Sequence, residues 1–333
     1  MQRLSFHIAE QLRQGSDLTL VRMGQGNWFL SFFLARATLR LLFALLTRRV
    51  DVVLLGDPVL SGLGWLAKKF RVPVAVVVHG LDITYAPVLY QRYLDWMFWN
   101  KFEAYICISR HVYDIVQQRL GTDNCCHLIH PGVNLLPDPP PVANGHRQSP
   151  RLLMLGRLVP RKGALWLVEH VLPVLVSALP ALQLDIVGDG PDHELIAEAV
   201  ATRGLQRNVS LHGAVDDARK SALLAEAHLV LIPNLPVADD PEGFGLVALE
   251  AAAAGRYVLA ANLEGLRDAV HVPDTGLLLP AGDANRWIDA VLQACSDLPG
   301  LIEKGQHARA SIGTEHSWQR MGERYRQVLN GLA

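Results

Sequence analysis

A chain of 333 residues is longer than one typical domain and points to two. Half of its residues are hydrophobic and 19% are charged, the composition of a soluble globular protein with a real core. The formal net charge of −1 gives no electrostatic basis for a nucleic acid partner, and none is expected.

Met1 is followed by no charged n-region and apolar h-region, so no signal peptide is read. RLSFHIAEQLRQG begins a helix at once, Arg3–Arg13, with Leu4, Ile8 and Leu12 on one face. Doubly wound domains usually open with a central strand and a Gly-rich turn that feeds the first helix. No such strand precedes this helix, so either the first domain is unusual or the chain starts downstream of the natural N-terminus, and the second reading is favoured. A strand is placed next at Leu18–Val21. Trp28 to Leu46 is the most apolar stretch, yet Arg36 and Arg40 stand one turn apart inside it. A spanning helix rarely carries two such charges at its middle. The helix Phe29–Thr47 is therefore read as an amphipathic surface helix. The sharper alternative is a membrane-surface helix whose Arg36, Arg40, Arg48 and Arg49 face lipid phosphates. Strands at Val50–Leu55, Val74–Val78 and Ala104–Ile108 follow, alternating with helices at Leu60–Lys69, Tyr90–Lys101 and His111–Arg119.

PDPPPVANGHRQSP, residues 137–150, is Pro-rich and reads as an interdomain linker. The rhythm then restarts. Strands are expected at Leu152–Leu155, Leu184–Val187, Val209–Leu211, Leu229–Ile232 and Tyr257–Ala260. Helices are expected at Ala164–Leu179, His193–Arg203, Asp216–Glu226, Gly245–Ala254, Asp283–Cys295, Leu301–Ile312 and Trp318–Leu332. The fold class is α/β, two doubly wound domains facing a cleft. Cys107, Cys125, Cys126 and Cys295 show neither metal-ligand nor disulfide spacing, which fits a reducing cytosol.

Ligands of such sheets bind at the carboxyl ends of the strands. After Leu155 comes GRLVPRKG, with Arg157 and Lys162 in one loop leading into a helix. Two cations beside a helix N-terminus suit a diphosphate, since the dipole and free N–H groups add to their charge; the plain alternative is a solvated basic loop. GDGPD after Val187 is a tight turn whose glycines permit close approach to a ligand. After Ile232 comes DDPEGFGLVALEAAAAG, with Glu242 just before a helix and Glu250 about two turns inside it. Gly243 and Gly245 would bare N–H groups to an anion. A diol such as a ribose suits Glu250, because both hydroxyls can donate to one carboxylate; a structural ion pair is the alternative. The strand VAVVV ends in His79-Gly80-Leu81-Asp82, placing His79 as a hydrogen-bond donor or proton relay near neutral pH.

In order and spacing, GRLVPRKG, VGDGPDHELI, HGAV, PEGFGLVALEAAAAG and GLLLPAGD resemble the donor-binding half of retaining GT-B glycosyltransferases of family 4, glycosyl transferases group 1. VVHGLDITY, ICISRHV and HPGVN resemble the acceptor half, so the likeness runs over nearly the whole chain. The E-x7-E element joined to GR-x4-KG is a highly specific combination. The resemblance implies GT-B architecture, with an N-terminal acceptor-side domain at 1–137, a linker at 138–150 and a nucleotide-sugar donor domain at 151–316. The last helix, 317–333, would pack back on the first domain.

The resemblance also implies roles. Arg157 and Lys162 would hold and stabilise the leaving nucleotide diphosphate. Glu242 and the backbone of Gly243, Phe244 and Gly245 would contact the donor hexose, Gly245-Leu246 the phosphate and Glu250 the ribose. His79 would touch the sugar and the acceptor. No metal and no cofactor are implied beyond the nucleotide diphosphate sugar itself, so Asp239-Asp240 is not read as a metal pair. The activity is transfer of a hexose, with retention, to a glycan or lipid-linked acceptor in cell-surface polysaccharide or glycolipid synthesis. GDP-mannose is the leaning from family habit, with glucose, galactose and N-acetylglucosamine donors open. The aromatic run YQRYLDWMFWNKF (90–102) and the Trp28–Arg49 helix suggest peripheral membrane contact and a cytoplasmic protein at the inner face. Asn134 stands where an Asp often closes the NGVD-like element, and Arg256-Tyr257 replaces the frequent Pro-Val. The missing strand and its Gly-Gly loop imply weak donor binding or slow turnover. Two alternatives stand beside the transferase: a catalytically weak nucleotide-sugar-binding subunit, and a GT-B epimerase or phosphorylase.

Overall fold

The computed structural model describes residues 2–22, 30–121, 125–135 and 149–333. Most of the expected linker, and the first residues of the apolar stretch that begins at Trp28, lie outside them. The chain divides into two compact units, Met1–Gly132 with Trp318–Ala333, and Val133–Ser317.

In the first unit the elements run α1 (Gln2–Arg13), α2 (Leu30–Leu46), β1 (Val53–Leu55), α3 (Ser61–Lys69), β2 (Val74–Val78), α4 (Leu81–Thr84), α5 (Val88–Met97), β3 (Ala104–Cys107), α6 (Arg110–Leu120) and β4 (Cys126–Leu128). The four strands form one parallel sheet in the order β1-β2-β3-β4. Every residue of β2 and β3 is buried, as a parallel strand covered on both faces requires. Ser109 starts α6 by accepting a hydrogen bond from Val112 N at 3.2 Å. The last helix, Trp318–Asn330, lies on α1: His7 stacks on Trp318 at 4.0 Å, and Arg326 Nη1 donates to Gln11 O at 2.8 Å.

Leu18–Val21 does not form the expected strand. A strand exists only where a neighbour takes its backbone groups, and β1 pairs with β2 alone. Without a partner the segment stays largely exposed, Leu20 included. Conversely β4 and α4, one short strand and one helical turn, carry too few residues for periodicity to reveal.

The second unit contains β5 (Arg151–Leu155), α7 (Ala164–Trp166), α8 (Leu172–Ala178), β6 (Gln183–Val187), α9 (His193–Thr202), β7 (Val209–Leu211), α10 (Asp217–Glu226), β8 (Leu229–Ile232), α11 (Leu246–Ala253), β9 (Tyr257–Ala261), α12 (Leu266–Ala269), β10 (Gly276–Leu279), α13 (Ala284–Cys295) and α14 (Leu298–Glu315). The helix expected at Ala164–Leu179 is interrupted by a π turn over Leu167–Val171. Pro173 lies just beyond and has no N–H to donate, so the regular ladder cannot run through it.

All six strands are parallel, in the order β10-β9-β8-β5-β6-β7. Numbered from β5, that is the Rossmann order 3-2-1-4-5-6, and the sequence direction reverses between β5 and β8. Arg256, at the end of α11, is buried: its Nε donates to Leu224 O at 2.6 Å and its Nη2 to Ala225 O at 3.1 Å. The guanidinium thereby closes carbonyls that the end of α10 leaves open. Burial lowers its pKa to about 10, which still leaves it charged at neutral pH.

Candidate active site

In an open α/β sheet the crevice outside the carboxyl ends at the point of reversal is where ligands bind. Two loops leave the second sheet there: 156–163 after β5 and 233–245 after β8. Leu235 N donates to Arg161 O at 2.9 Å and ties one to the other.

Glu242 is the hub of that junction. Its Oε2 accepts from Arg161 Nη1 at 2.5 Å, Lys162 Nζ at 2.5 Å and Asn234 Nδ2 at 2.7 Å. Arg161 also lies 3.2 Å from Asp240. Oε1 of Glu242 has no hydrogen-bond partner among the described residues. Burial raises the Glu242 pKa, but the charges and hydrogen bonds of Lys162, Arg161 and Asn234 outweigh it and hold the carboxyl below its ordinary value. The backbone is fixed as well, since Glu242 N donates to the Glu264 carboxylate and Glu242 O accepts from Gly265 N at 3.1 Å.

Downstream, the buried Phe244 ring lies 6.1 Å from that of His316. Gly245 has φ +87° and precedes α11, a conformation strained for any other residue, and a Cβ there would also have to displace Leu266 Cδ2, 2.5 Å away. No side chain caps α11, which leaves its first N–H groups to a ligand or solvent. Leu246 and Glu250, one turn apart, share its half-buried face. Glu250 Oε2 meets Lys220 Nζ of α10 at 3.2 Å, so the structure supplies a protein partner for this carboxylate.

Arg157 is exposed, and its guanidinium forms no ion pair or hydrogen bond with a described residue. The Lys162 stem runs along Gly156, the residue before Arg157: its Cε lies 3.6 Å from where a Gly156 Cβ would stand. The GDG turn serves this loop directly. A Cβ on Gly188 would fall 1.7 Å from Gly156 O, and Leu158 N donates to Asp189 O at 2.9 Å. The close approach foreseen for a ligand is here an approach of backbone to backbone.

His79 is buried in the first unit at the end of β2, and its Nε2 lies 3.0 Å from Gly56 O. A carbonyl only accepts, so Nε2 carries the proton and Nδ1 is an acceptor. Burial lowers its pKa, outweighing the Gly56 hydrogen bond and Asp57, so the ring is neutral near pH 7. Asp82 accepts from His79 N at 2.8 Å and Gly80 N at 2.7 Å. Burial raises the Asp82 pKa to about 7 against those hydrogen bonds.

Arg161, Asn234 and Lys220 were not singled out from the sequence. Arg161 sits inside GRLVPRKG beside Lys162, and that adjacency was the available signal. For Asn234 and Lys220, 8 and 30 positions from their partners, no spacing rule gives one.

The family model described as Glycosyl transferases group 1 matches residues 149–297, and that of Glycosyltransferase Family 4 matches residues 9–135. Over 205 residues, 61% of this chain and 52% of the relative, the sequence is 36% identical to a phosphatidyl-myo-inositol mannosyltransferase of Mycobacterium leprae. It is 32% identical over 183 residues, 54% of this chain and 47% of the relative, to a GDP-mannose-dependent monoacylated alpha-(1-6)-phosphatidylinositol monomannoside mannosyltransferase of Corynebacterium glutamicum. The chain spans about half the length of the curated relatives it matches. A solved glycosyltransferase of Rickettsia africae aligns with a TM-score of 0.80 at 20% identity, covering 99% of this chain and 94% of that one, a likeness of fold. With both family models matched and two Rossmann-like parallel sheets, the chain belongs to the family 4, group 1 glycosyltransferases of GT-B fold.

Proposed function

We propose that this protein transfers a hexose, with mannose from GDP-mannose as the leading donor, to a lipid-linked acceptor with retained configuration. The observation that carries the reading is Lys162 clamped on Glu242 at the point of reversal, in the same loop as the exposed Arg157. Arg161 and Lys162 pair with Asp240 and Glu242, while Arg157, in the same loop as both cations, forms no ion pair with a described residue and is the cation offered to an anion. The residues 151–316 form the donor side in this reading, and 1–137 with the last helix the acceptor side.

Arg157 and Lys162 stabilise charge that grows on the departing diphosphate, with the N-terminus of α11 at Gly245-Leu246 adding N–H groups. They supply that charge without a metal. Glu242 offers Oε1 to a hexose hydroxyl while Oε2 fixes Lys162; the backbone of Gly243 and Phe244 lines the same subsite. Glu250 accepts from the ribose hydroxyls, with Lys220 steadying it. His79 contributes an acceptor nitrogen rather than a donor toward sugar or acceptor. In front-face transfer the leaving phosphate helps take the acceptor proton.

A lipid acceptor fits the outer face of α2, where Phe32, Leu39, Phe43 and Leu46 are exposed and alternate with exposed Arg36 and Arg40. No helix among the described residues is long and apolar enough to cross a membrane. The proposal is peripheral contact, through the α2 face, at an inner membrane face. The names of the M. leprae and C. glutamicum relatives support mannose and a phosphatidylinositol lipid.

The test is a thermal-shift screen of GDP- and UDP-sugars, followed by transfer of labelled mannose to phosphatidylinositol vesicles. Stabilisation by GDP-mannose and acceptor-dependent label in lipid are expected. Binding without donor hydrolysis or transfer to any acceptor would leave the binding-subunit alternative. Product formed without an acceptor hydroxyl, or with consumption of phosphate, would point to the epimerase or phosphorylase alternative.

A further inference from the structure

Behind Phe244 lies a cluster that the transfer reading does not use. His271, in the connection from α12 to β10, faces His316, the residue directly after α14, with their Nε2 atoms 3.2 Å apart. On the other side of the His271 ring, Nδ1 lies 3.2 Å from Glu315 Oε2. One ligand atom from each of the three residues falls within 4.8 Å of the other two. His316 is buried, whereas His271 is half-buried and Glu315 is exposed enough to change rotamer.

From these positions we infer that His271, His316 and Glu315 form a binding site for a borderline divalent cation of the Zn2+ class. Two imidazoles and a carboxylate are a donor set that suits Zn2+ over Mg2+ or Ca2+, which prefer oxygen ligands. The spacing agrees. Tetrahedral metal–nitrogen bonds of about 2.0–2.1 Å place two ligand nitrogens about 3.3 Å apart, against 3.2 Å here. The ring centroids are 5.1 Å apart at 49°, so the rings are already gathered at the nitrogen edge rather than stacked. The cation takes the place of the hydrogen between the two Nε2 atoms, the proton moving to the Nδ1 of the ring that carried it, and Glu315 turns from His271 to the cation as third ligand.

Such a cation would cross-link two segments 45 positions apart and pin the end of α14 against the loop before β10. His316 also touches Phe244 and gives its carbonyl to Val133 N at 2.8 Å, so the link would stiffen the wall behind the 243–245 loop. Its role is structural, and the inference does not rest on the transferase reading.

The test uses the full chain stripped with a chelator and titrated with ZnCl2 alone by calorimetry and thermal shift. One Zn2+ per chain and a melting point raised by a few degrees are expected. His271→Ala and Glu315→Gln should each weaken binding by about tenfold or more. His316→Asn, whose residue is buried, is first checked for folding by circular dichroism; a folded variant should lose binding. Exposed pairs such as His170–Glu169 and His307–Asp274 provide background sites, so the variants decide the location. Absence of saturable Zn2+ binding would overturn the site, as would equal affinity in His271→Ala. Mg2+ binding as tight as Zn2+ would overturn the nitrogen-ligand assignment. None of these readouts involves sugar transfer.

Discussion

Lys162 and Glu242, 80 positions apart, join the two loops of the second sheet through a contact of 2.5 Å between Nζ and Oε2. The same carboxylate oxygen holds Arg161. One buried acid therefore sets the position of two cations.

Glu242→Ala should destabilise the protein by about 3–5 kcal/mol, because Lys162 and part of Arg161 would remain as buried, uncompensated charge. Urea unfolding measures this. If Glu242 served only to touch a sugar, the loss would stay within about 0.5 kcal/mol, as for an ordinary surface substitution. A double-mutant cycle with Lys162→Ala should show coupling of about 0.5–3 kcal/mol.

In the role proposed for it, on charge that develops during departure, Arg157→Ala should lower kcat about 10²–10³-fold while leaving KM for the donor little changed. Its stability should be unaltered, given the exposure of the guanidinium. Lys162→Ala should depress kcat similarly and also lower stability. A rise in KM at constant kcat would make Arg157 a ground-state binding residue.

Glu250→Ala should weaken GDP binding by about 1–3 kcal/mol through lost ribose hydrogen bonds. Lys220→Ala removes the partly exposed ion pair, worth about 0–1 kcal/mol, and should weaken GDP binding less. Equal nucleotide affinity in wild type and Glu250→Ala, measured by calorimetry, would reduce the pair to a structural one.

The buried Asp82 carries a raised pKa, about 7, against an ordinary 3.8. The folded state then holds a proton that the unfolded state has released. Stability from this group is present below about pH 4 and falls as pH rises toward 7, by on the order of a few kcal/mol. His79 works oppositely: its lowered pKa favours the folded state as pH rises through the range up to 6.5. Asp82→Asn should flatten the falling limb between pH 4 and 7 in chemical unfolding. An unchanged pH profile would show that the carboxyl is ionised throughout.

The strands of the second unit were legible because each is a short apolar run between turn residues: Val209–Leu211 and Leu229–Ile232 fall where the pattern puts them. Strand order was carried only by the likeness to a fold, since β5 lies beside β8 across 77 positions between Leu152 and Leu229. Leu18–Val21 failed because strand propensity says nothing of whether a neighbour exists. At the site, the motif residues could be named, but not what their side chains hold. Glu242 reads from sequence as a loop acid open to a ligand; three donors from 161, 162 and 234 make it a buried anchor with one oxygen to spare.

Arg256 gives the proposed nucleotide subsite a dependence on a residue outside it. By gripping the last carbonyls of α10, it limits fraying of the helix whose Lys220 steadies Glu250. Arg256→Ala should therefore speed amide exchange along α10 and loosen GDP binding modestly, although the guanidinium is assigned no contact with the ligand. Exchange measured with and without GDP would show whether the nucleotide restores the order that the arginine normally supplies. If so, a buried side chain between α11 and β9 acts as a remote tuner of nucleotide affinity.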